Sequence, residues 1–192
     1  MMEIDIFFSY ACRDTYKVFK WLHHLENLGE KLNLVWHPYG VEIESEHQWQ
    51  QNWETARSEL RGFIAAEAAR EQGNDAFRRF HRFLEEAVHE QYFELGDEAV
   101  LIRVADRAQL DLAQFRADIQ SPSLAKAAYL SHQRGVTEFK IFGTPMLILD
   151  GHAPLYLEFM DVPQQSRARG LFQSIRALAV EQLDVIQLKR II

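Results

Sequence analysis

The stretch that decides the fold, residues 4–16, reads IDIFFSYACRDTY. Its first half is rich in Ile and Phe and predicts a buried strand. From Tyr16 onward the apolar residues recur at helical spacing until Gly29, which suits the C-terminal cap of a helix. A second β-rich segment, Leu32 to Trp36, ends at His37-Pro38. Strand, helix and strand at this spacing indicate one parallel, right-handed βαβ unit.

Cys12 stands where the first strand gives way to the helix, and it is the only cysteine of the chain. The free N–H groups and the positive dipole end of a helix favour a thiolate. A thiolate is a nucleophile, whereas a cysteine in the middle of a strand is usually a small apolar residue. The position therefore predicts a functional site at Cys12, and a lone cysteine excludes an internal disulfide.

A second informative segment lies far along the chain, where Phe142 to Pro145 leads directly into the apolar run Met146 to Leu149. The first position of a strand is one of the few places where a sheet accepts proline. Asp150-Gly151 then predicts a two-residue hairpin turn, with Leu155 to Phe159 as the returning strand. Pro163 suits the first position of a last long helix.

The region between these two segments is predicted to be helical after a loop at residues 41–52. The expected helices are Trp53 to Arg70, Asp75 to Phe93, one capped by Asp97, Asp111 to Ile119, and Pro122 to Arg134, closed by Gly135. The order β-α-β, helices, α-β-β-α is that of an α/β, thioredoxin-like fold with a helical insertion. We therefore assign residues 1–40 and 122–183 to the thioredoxin-like domain, 41–121 to the insertion and 184–192 to a C-terminal tail.

The residues around Cys12 resemble the DsbA-like thioredoxin family, whose FrnE-type members carry Cys-Pro-Trp-Cys-Tyr at this place. Further resemblances, in chain order, are Val35-Trp36-His37-Pro38-Tyr39, Leu110-Asp111-Leu112 with Phe115, Gly135-Val136, and Gly143-Thr144-Pro145. The likeness runs from Ile4 to about Leu183. It implies a cis bond before Pro145, and a free Thr144 backbone that pairs with glutathione or an extended cysteinyl peptide.

Two departures from the family pattern define the expected chemistry: Thr15 replaces the second cysteine and Arg13 replaces the proline. A dithiol oxidoreductase needs one sulfur to attack and one to resolve. We expect Cys12 and Thr15 to be catalytic, with the Thr15 hydroxyl donating to the thiolate one helical turn away. The expected substrate-binding residues are Arg13, Tyr16, His37, Thr144 and Pro145.

Three functions remain open on these residues. The first is a thiol-disulfide oxidoreductase that forms mixed disulfides with glutathione or protein thiols. The second follows from resemblance to the kappa-class glutathione transferases and 2-hydroxychromene-2-carboxylate isomerases, which use one serine at the position of Cys12. The third is an interaction module that kept the fold and lost the chemistry. Glutathione is expected as a co-substrate, and no tightly bound cofactor is expected.

The composition of the chain limits the classes of partner that it is expected to bind. The formal net charge of -7 argues against nucleic-acid binding and against docking on anionic membranes. No segment approaches the roughly 20 apolar residues of a membrane span. The N-terminus lacks the pattern of a signal peptide, so a cytoplasmic location is expected. The apolar tail residues predict docking on the protein's own core or on a second subunit of a homodimer: Val185, Ile186, Leu188, Ile191 and Ile192.

Other titratable and aromatic residues are assigned ordinary roles. Adjacent His23 and His24 cannot both face one ion on a helix, and no metal site is expected. His81 and His89 are interpreted as helix-surface residues. The aromatic stripe that includes Phe77 is expected in the core, and so are two tryptophans, Trp49 and Trp53. A basic helix face formed by Arg78, Arg79 and Arg82 is interpreted as solvated, with contact to an anionic ligand as the alternative.

Overall fold

A four-stranded mixed sheet forms the centre of the computed structural model, which describes residues 2–43 and 45–181. The strands are β1 (Met2–Phe8), β2 (Leu32–Pro38), β3 (Met146–Leu149) and β4 (Leu155–Tyr156). Their spatial order is β2-β1-β3-β4, with β1 parallel to β2 and antiparallel to β3. The predicted α/β, thioredoxin-like fold is confirmed.

The helices of the described chain follow the predicted order. They are α1 (Arg13–Asn27), α2 (Glu46–Trp49), α3 (Ser58–Glu71), α4 (Asn74–His89), α5 (Glu98–Arg107), α6 (Leu112–Asp118), α7 (Pro122–Thr137) and α8 (Gln165–Arg176), after which a π-helical segment covers Ala177–Glu181. Helices α2 to α6 lie between β2 and α7, where the insertion was expected. Among the helices described, none combines the length and apolar character needed to cross a membrane.

Short polar signals place several helix ends correctly. The side chain of Asp97 accepts from the N–H of Ala99 at the start of α5, and Asp111 caps α6 in the same way. Gly29 follows α1 with a φ of 85°, a left-handed value that glycine adopts without steric cost. The Asp150-Gly151 turn also has positive φ at both positions, as a two-residue turn requires, but β4 begins only at Leu155, so the connection from β3 is longer than predicted.

Some predicted boundaries are wrong. The expected loop at residues 41–52 contains α2, and the helix expected from Trp53 begins only at Ser58. The returning strand β4 covers two residues instead of five. Helix α7 continues through Gly135 to Thr137, so this glycine does not close the helix. The predicted tail, residues 184–192, and the helix end at Leu183 lie outside the described residues.

The sheet is covered on both faces because successive side chains of a strand point in opposite directions. Ile4, Ile6 and Phe8 of β1 lie in the larger core cluster, together with residues of α1, α3, α4 and α8. Phe7 points the other way, into a smaller cluster beside α7. The larger cluster also contains Trp49 and Trp53, both 2% exposed, in agreement with the prediction that they pack inside.

Candidate active site at the start of helix α1

Cys12 is the N-cap residue of α1, placed there by β1 and the short turn that follows it. The Cys12 N–H donates to the carbonyl of Ser9 at 3.1 Å, which holds the turn closed. The Cys12 Sγ lies 3.3 Å from the carbonyl oxygen of Thr144, and its side chain is half-buried. The bond between Thr144 and Pro145 is cis, as the resemblance implied. The fold therefore brings together two segments that are far apart in sequence.

Thr15 is completely buried one turn into α1. Its Oγ1 accepts from the N–H of Ser9, with 3.5 Å between the two atoms. In the described part of the chain no hydrogen bond joins Thr15 to Cys12. The geometry thus assigns Thr15 to the turn that carries Cys12, and its expected donation to the thiolate stays a prediction.

Tyr16 lies beside the site and is tied to helix α4. Its hydroxyl donates to Glu90 Oε1 at 2.8 Å, and its ring stacks on His89 with centroids 5.0 Å apart. Burial, together with the hydrogen bond and the charge of Glu90, raises the pKa of Tyr16 above its ordinary value. Tyr16 is therefore a neutral hydroxyl that fixes α1 against α4.

Among the described contacts, none joins Arg13 or His37, the other expected substrate-binding side chains, to the Cys12 sulfur. Arg13 is exposed at the first position of α1. His37 Nε2 lies 2.6 Å from Asp5 Oδ1, and its ring stacks on Phe7. Burial lowers the pKa of His37, against the opposing effect of Asp5. The contacts of His37 thus lie along the sheet, and among the described hydrogen bonds and ring contacts none joins it to Cys12.

Glu85 of α4 is a buried acid near the thiol that the sequence interpretation missed. Its side chain is fully buried, and both carboxyl oxygens lack a hydrogen-bond partner among the described residues. Burial raises the pKa of Glu85 well above its ordinary value, and the Cys12 charge raises it further. The shift favours the protonated form of Glu85, and the charge of the Cys12 sulfur contributes to it.

The interpretation of His89 as a surface histidine is wrong, because its side chain is only 10% exposed. Its Nε2 lies 3.0 Å from the Tyr10 carbonyl oxygen and 3.5 Å from Glu85 Oε2. Burial lowers the pKa of His89, and Arg13 adds to that effect. A neutral His89 therefore donates to the turn that carries Cys12.

A second buried acidic side chain, Glu59 of α3, stabilises the turn that carries Cys12 through hydrogen bonds. It accepts hydrogen bonds from the Ser9 hydroxyl and from the N–H groups of Val41 and Glu42. Ser9 Oγ in turn accepts from the Ala11 N–H at 3.1 Å. Burial raises the pKa of Glu59, while these donors oppose the rise. Glu59 thus joins the Ser9 to Cys12 turn to the loop after β2.

An exposed aromatic pair lies beside the thiol. Phe142 is 73% exposed, Tyr156 is 41% exposed, and their ring centroids are 5.6 Å apart. Burial is the main cause of the raised pKa of Tyr156, and the charges of Glu158, Asp14 and Cys12 add to it. Tyr156 therefore lies within electrostatic reach of Cys12, and we name Phe142 and Tyr156 the aromatic rim of the site.

The comparisons with known proteins agree with this geometry. A family model described as Thioredoxin matches residues 15–152, more than two thirds of the chain. The chain belongs to the thioredoxin family. Proteins described as DsbA are among the solved structures that share its fold.

Solved structures share the fold of this thioredoxin-family protein at low identity. A thioredoxin-like oxidoreductase from Silicibacter pomeroyi is 20% identical with a TM-score of 0.63, and the match covers 91% of this chain and 86% of that one. Reduced DsbA1 from Neisseria meningitidis is 18% identical, with a TM-score of 0.57 and coverage of 96% and 88%. The thiol-disulfide exchange protein alpha-DsbA2 from Wolbachia pipientis is 16% identical, with a TM-score of 0.63 and coverage of 91% and 81%.

Sequence similarity to a curated relative is local. The ClpXP adapter protein SpxH of Bacillus licheniformis is 36% identical over 64 residues, which is 33% of this thioredoxin-family protein and 21% of SpxH. The aligned segment therefore spans about a fifth of that relative's length.

Proposed function

We propose that this protein is a thiol-disulfide oxidoreductase in which Cys12 is the attacking sulfur. The observation that supports this most is the approach of Cys12 Sγ to the Thr144 carbonyl oxygen, at 3.3 Å. It places an accessible sulfur at a helix N-terminus beside backbone that a substrate strand can pair with. The low-identity DsbA-like neighbours support the fold on which such a site is built.

The first proposed step is attack of the Cys12 thiolate on an external disulfide. One S–S bond forms between Cys12 and the nearer substrate sulfur, and the other substrate sulfur leaves as a thiolate. Since no second cysteine is present, an external thiolate such as glutathione then attacks the mixed disulfide. That step releases Cys12 as a thiolate and forms a new disulfide from the two external sulfurs.

Glu85 is proposed to control the proton balance of these steps. Because the charge of Cys12 raises the pKa of Glu85, a thiolate and a carboxylate at this place oppose each other. The raised pKa of Glu85 favours its neutral form, which does not oppose negative charge on the reacting sulfur.

The test is formation of a mixed disulfide with oxidised glutathione. The wild-type protein is expected to gain the mass of one glutathione moiety and to lose it again when reduced glutathione is added. Cys12→Ser is the control, and it should neither gain that mass nor accelerate reduction of any disulfide substrate. The proposal fails if Cys12→Ser and the wild-type protein reduce disulfide substrates at equal rates.

A protein-binding module is the second candidate, and two observations favour it. The aromatic rim is exposed beside Cys12, and a segment of the chain is similar to a protein described as a ClpXP adapter. In this case the aromatic rim beside Cys12 binds a partner segment without a covalent step. Pull-down of a fixed partner by Cys12→Ser at wild-type strength, together with no mixed disulfide in the wild type, would favour the module over the oxidoreductase.

A further inference from the structure

A cavity of about 210 Å³ lies between α1, β2 and α4, on the surface formed by the basic helix face. Its apolar wall consists of Phe19, Leu34 and Trp36. Helix α4 contributes two pairs of adjacent residues, one turn apart, to the lining: Arg78 with Arg79 and His81 with Arg82. None of the residues that line it belongs to the aromatic rim or to the Thr144-Pro145 loop.

His81 lines this cavity with an unused hydrogen-bonding group. The residue is 2% exposed, and its Nδ1 lies 2.9 Å from the hydroxyl of Tyr10. Its Nε2 has no hydrogen-bond partner in the described part of the chain. Burial lowers the pKa of His81 to about 3, so the ring is neutral. When Tyr10 donates to Nδ1, the Nε2 carries the hydrogen and is a free donor.

The opposite side of the cavity carries positive charge. Arg78, Arg79 and Arg82 line it, with Glu26 as the single carboxylate among the lining residues. Arg78 pairs with Glu26, and Arg79 Nε donates to the Ala108 carbonyl oxygen at 2.8 Å. These contacts orient the guanidinium groups and leave further N–H donors on each of them.

The charge of the lining distinguishes between possible anions. Three guanidinium groups against one carboxylate leave two positive charges. His23 also lines the cavity, and burial lowers its pKa, so it adds no charge at neutral pH. Glu86 Oε1 lies 3.0 Å from Arg82 Nε and partly neutralises the charge of that guanidinium group. A phosphate monoester carries about -1.5 to -2 charge at pH 7 and matches this lining better than a carboxylate does.

We propose that this cavity is a second ligand site, separate from Cys12, for a phosphate monoester attached to a flat apolar group. The phosphate oxygens accept from the three arginines. The apolar group lies against Phe19 and Trp36. The cavity is somewhat larger than the roughly 150 Å³ space that holds one benzene ring, so an aryl phosphate fits by size.

The experiment is calorimetric titration with phenyl phosphate, and with inorganic phosphate and benzoate as partial probes. Phenyl phosphate should bind at least about tenfold more tightly than either partial probe, because only it uses both walls of the cavity. The double variant Arg78→Gln, Arg82→Gln should weaken binding by about tenfold or more. The matched control, Arg103→Gln with Arg116→Gln, removes the same charge from exposed positions of α5 and α6 and should leave binding unchanged.

A second readout does not depend on the arginine variants. In a long-range proton-nitrogen NMR spectrum of the wild-type protein, phenyl phosphate should shift the Nε2 signal of His81 more than that of exposed His47. Absence of phenyl phosphate binding at millimolar concentration would overturn the proposal. Equal affinity for phenyl phosphate and inorganic phosphate, or equal weakening by the two double variants, would overturn it as well.

Discussion

The Sγ of Cys12 lies 3.3 Å from the carbonyl oxygen of Thr144, although 132 positions of sequence separate the two residues. A thiol can donate to this carbonyl, whereas a thiolate has no hydrogen to donate. The contact therefore belongs to the protonated sulfur. When Cys12 loses its proton, the Thr144 carbonyl becomes free to accept from the backbone of a substrate strand, which links ionisation of the sulfur to binding.

The aromatic rim should distinguish protein substrates from glutathione. We expect Phe142→Ser with Tyr156→Ser to slow mixed-disulfide formation with an apolar cysteinyl peptide by about thirtyfold, because the two rings together contribute roughly 2 kcal/mol of apolar contact. The reaction with oxidised glutathione, a small polar molecule, should change little. Rates from intact-mass spectrometry would measure both. Equal slowing of the two reactions would show that the two rings stabilise the Thr144-Pro145 loop without contacting the substrate peptide.

Replacing the buried acid should change how stability depends on pH. The raised pKa of Glu85 means that its favourable contribution is complete below pH 4.5 and is lost as pH rises through the folded-state value. Glu85→Gln cannot ionise, so relative to the wild type its free energy of unfolding should increase by at least about 1 kcal/mol between pH 4.5 and alkaline pH. Urea unfolding across this range measures the difference. The exposed Glu94→Gln is the control and should follow the wild-type curve.

Two helical glycines should respond in opposite ways to alanine. At Gly135 a Cβ would lie 2.9 Å from Cε1 of the buried Phe7, so Gly135→Ala should cost roughly 1–3 kcal/mol despite the better helix propensity of alanine. At Gly170 of α8 a Cβ meets nothing within 4 Å, and Gly170→Ala should add up to about 1 kcal/mol. Urea unfolding of both variants tests the pair. A neutral effect at Gly135 would mean that α7 can move away from the sheet.

His81 should make the protein acid-sensitive. Its pKa is lowered from 6.5 to about 3, so its neutral form stabilises the fold fully above pH 6.5 and this stability is lost as pH falls toward 3. A difference of this size corresponds to roughly 5 kcal/mol if nothing else changes. Comparison of urea unfolding for the wild type and His81→Gln between pH 7 and 4 isolates the effect. An NMR titration of wild-type His81 with a midpoint near 6.5 would contradict it.

The sequence was sufficient for the parts of the fold that local rules decide. Helix caps such as Asp97 and the position of the Asp150-Gly151 turn depend on neighbouring residues only, and they were predicted correctly. Gly135 was misassigned because its role depends on the distant Phe7, which approaches α7 too closely for a Cβ. The sequence alone does not distinguish a glycine that ends a helix from a glycine that is required by a close contact with a distant residue.

The site was predicted in part for the same reason. Cys12 and Thr144 were identified by their positions at element ends, and the resemblance supplied their proximity. Glu85 and His81 were missed because the insertion that carries them was treated as an amphipathic helix with polar residues outside. Both fall on the stripe that contains Phe77, at spacings of four and eight positions. The position of these two polar residues on an otherwise apolar stripe could have indicated that their side chains are buried.

The pairing of β1 has a consequence for synthesis on the ribosome. One edge of this strand pairs with β2, which ends at residue 38. The other edge pairs with β3 and stays unpaired until that strand has been synthesised. Glu3 and Asp150, which bond to each other at the end of that pair, are 147 positions apart. A nascent chain therefore presents an apolar, unpaired strand edge until β3, which begins 138 positions after the end of β1, has been translated. Chaperone dependence should be greatest in that interval.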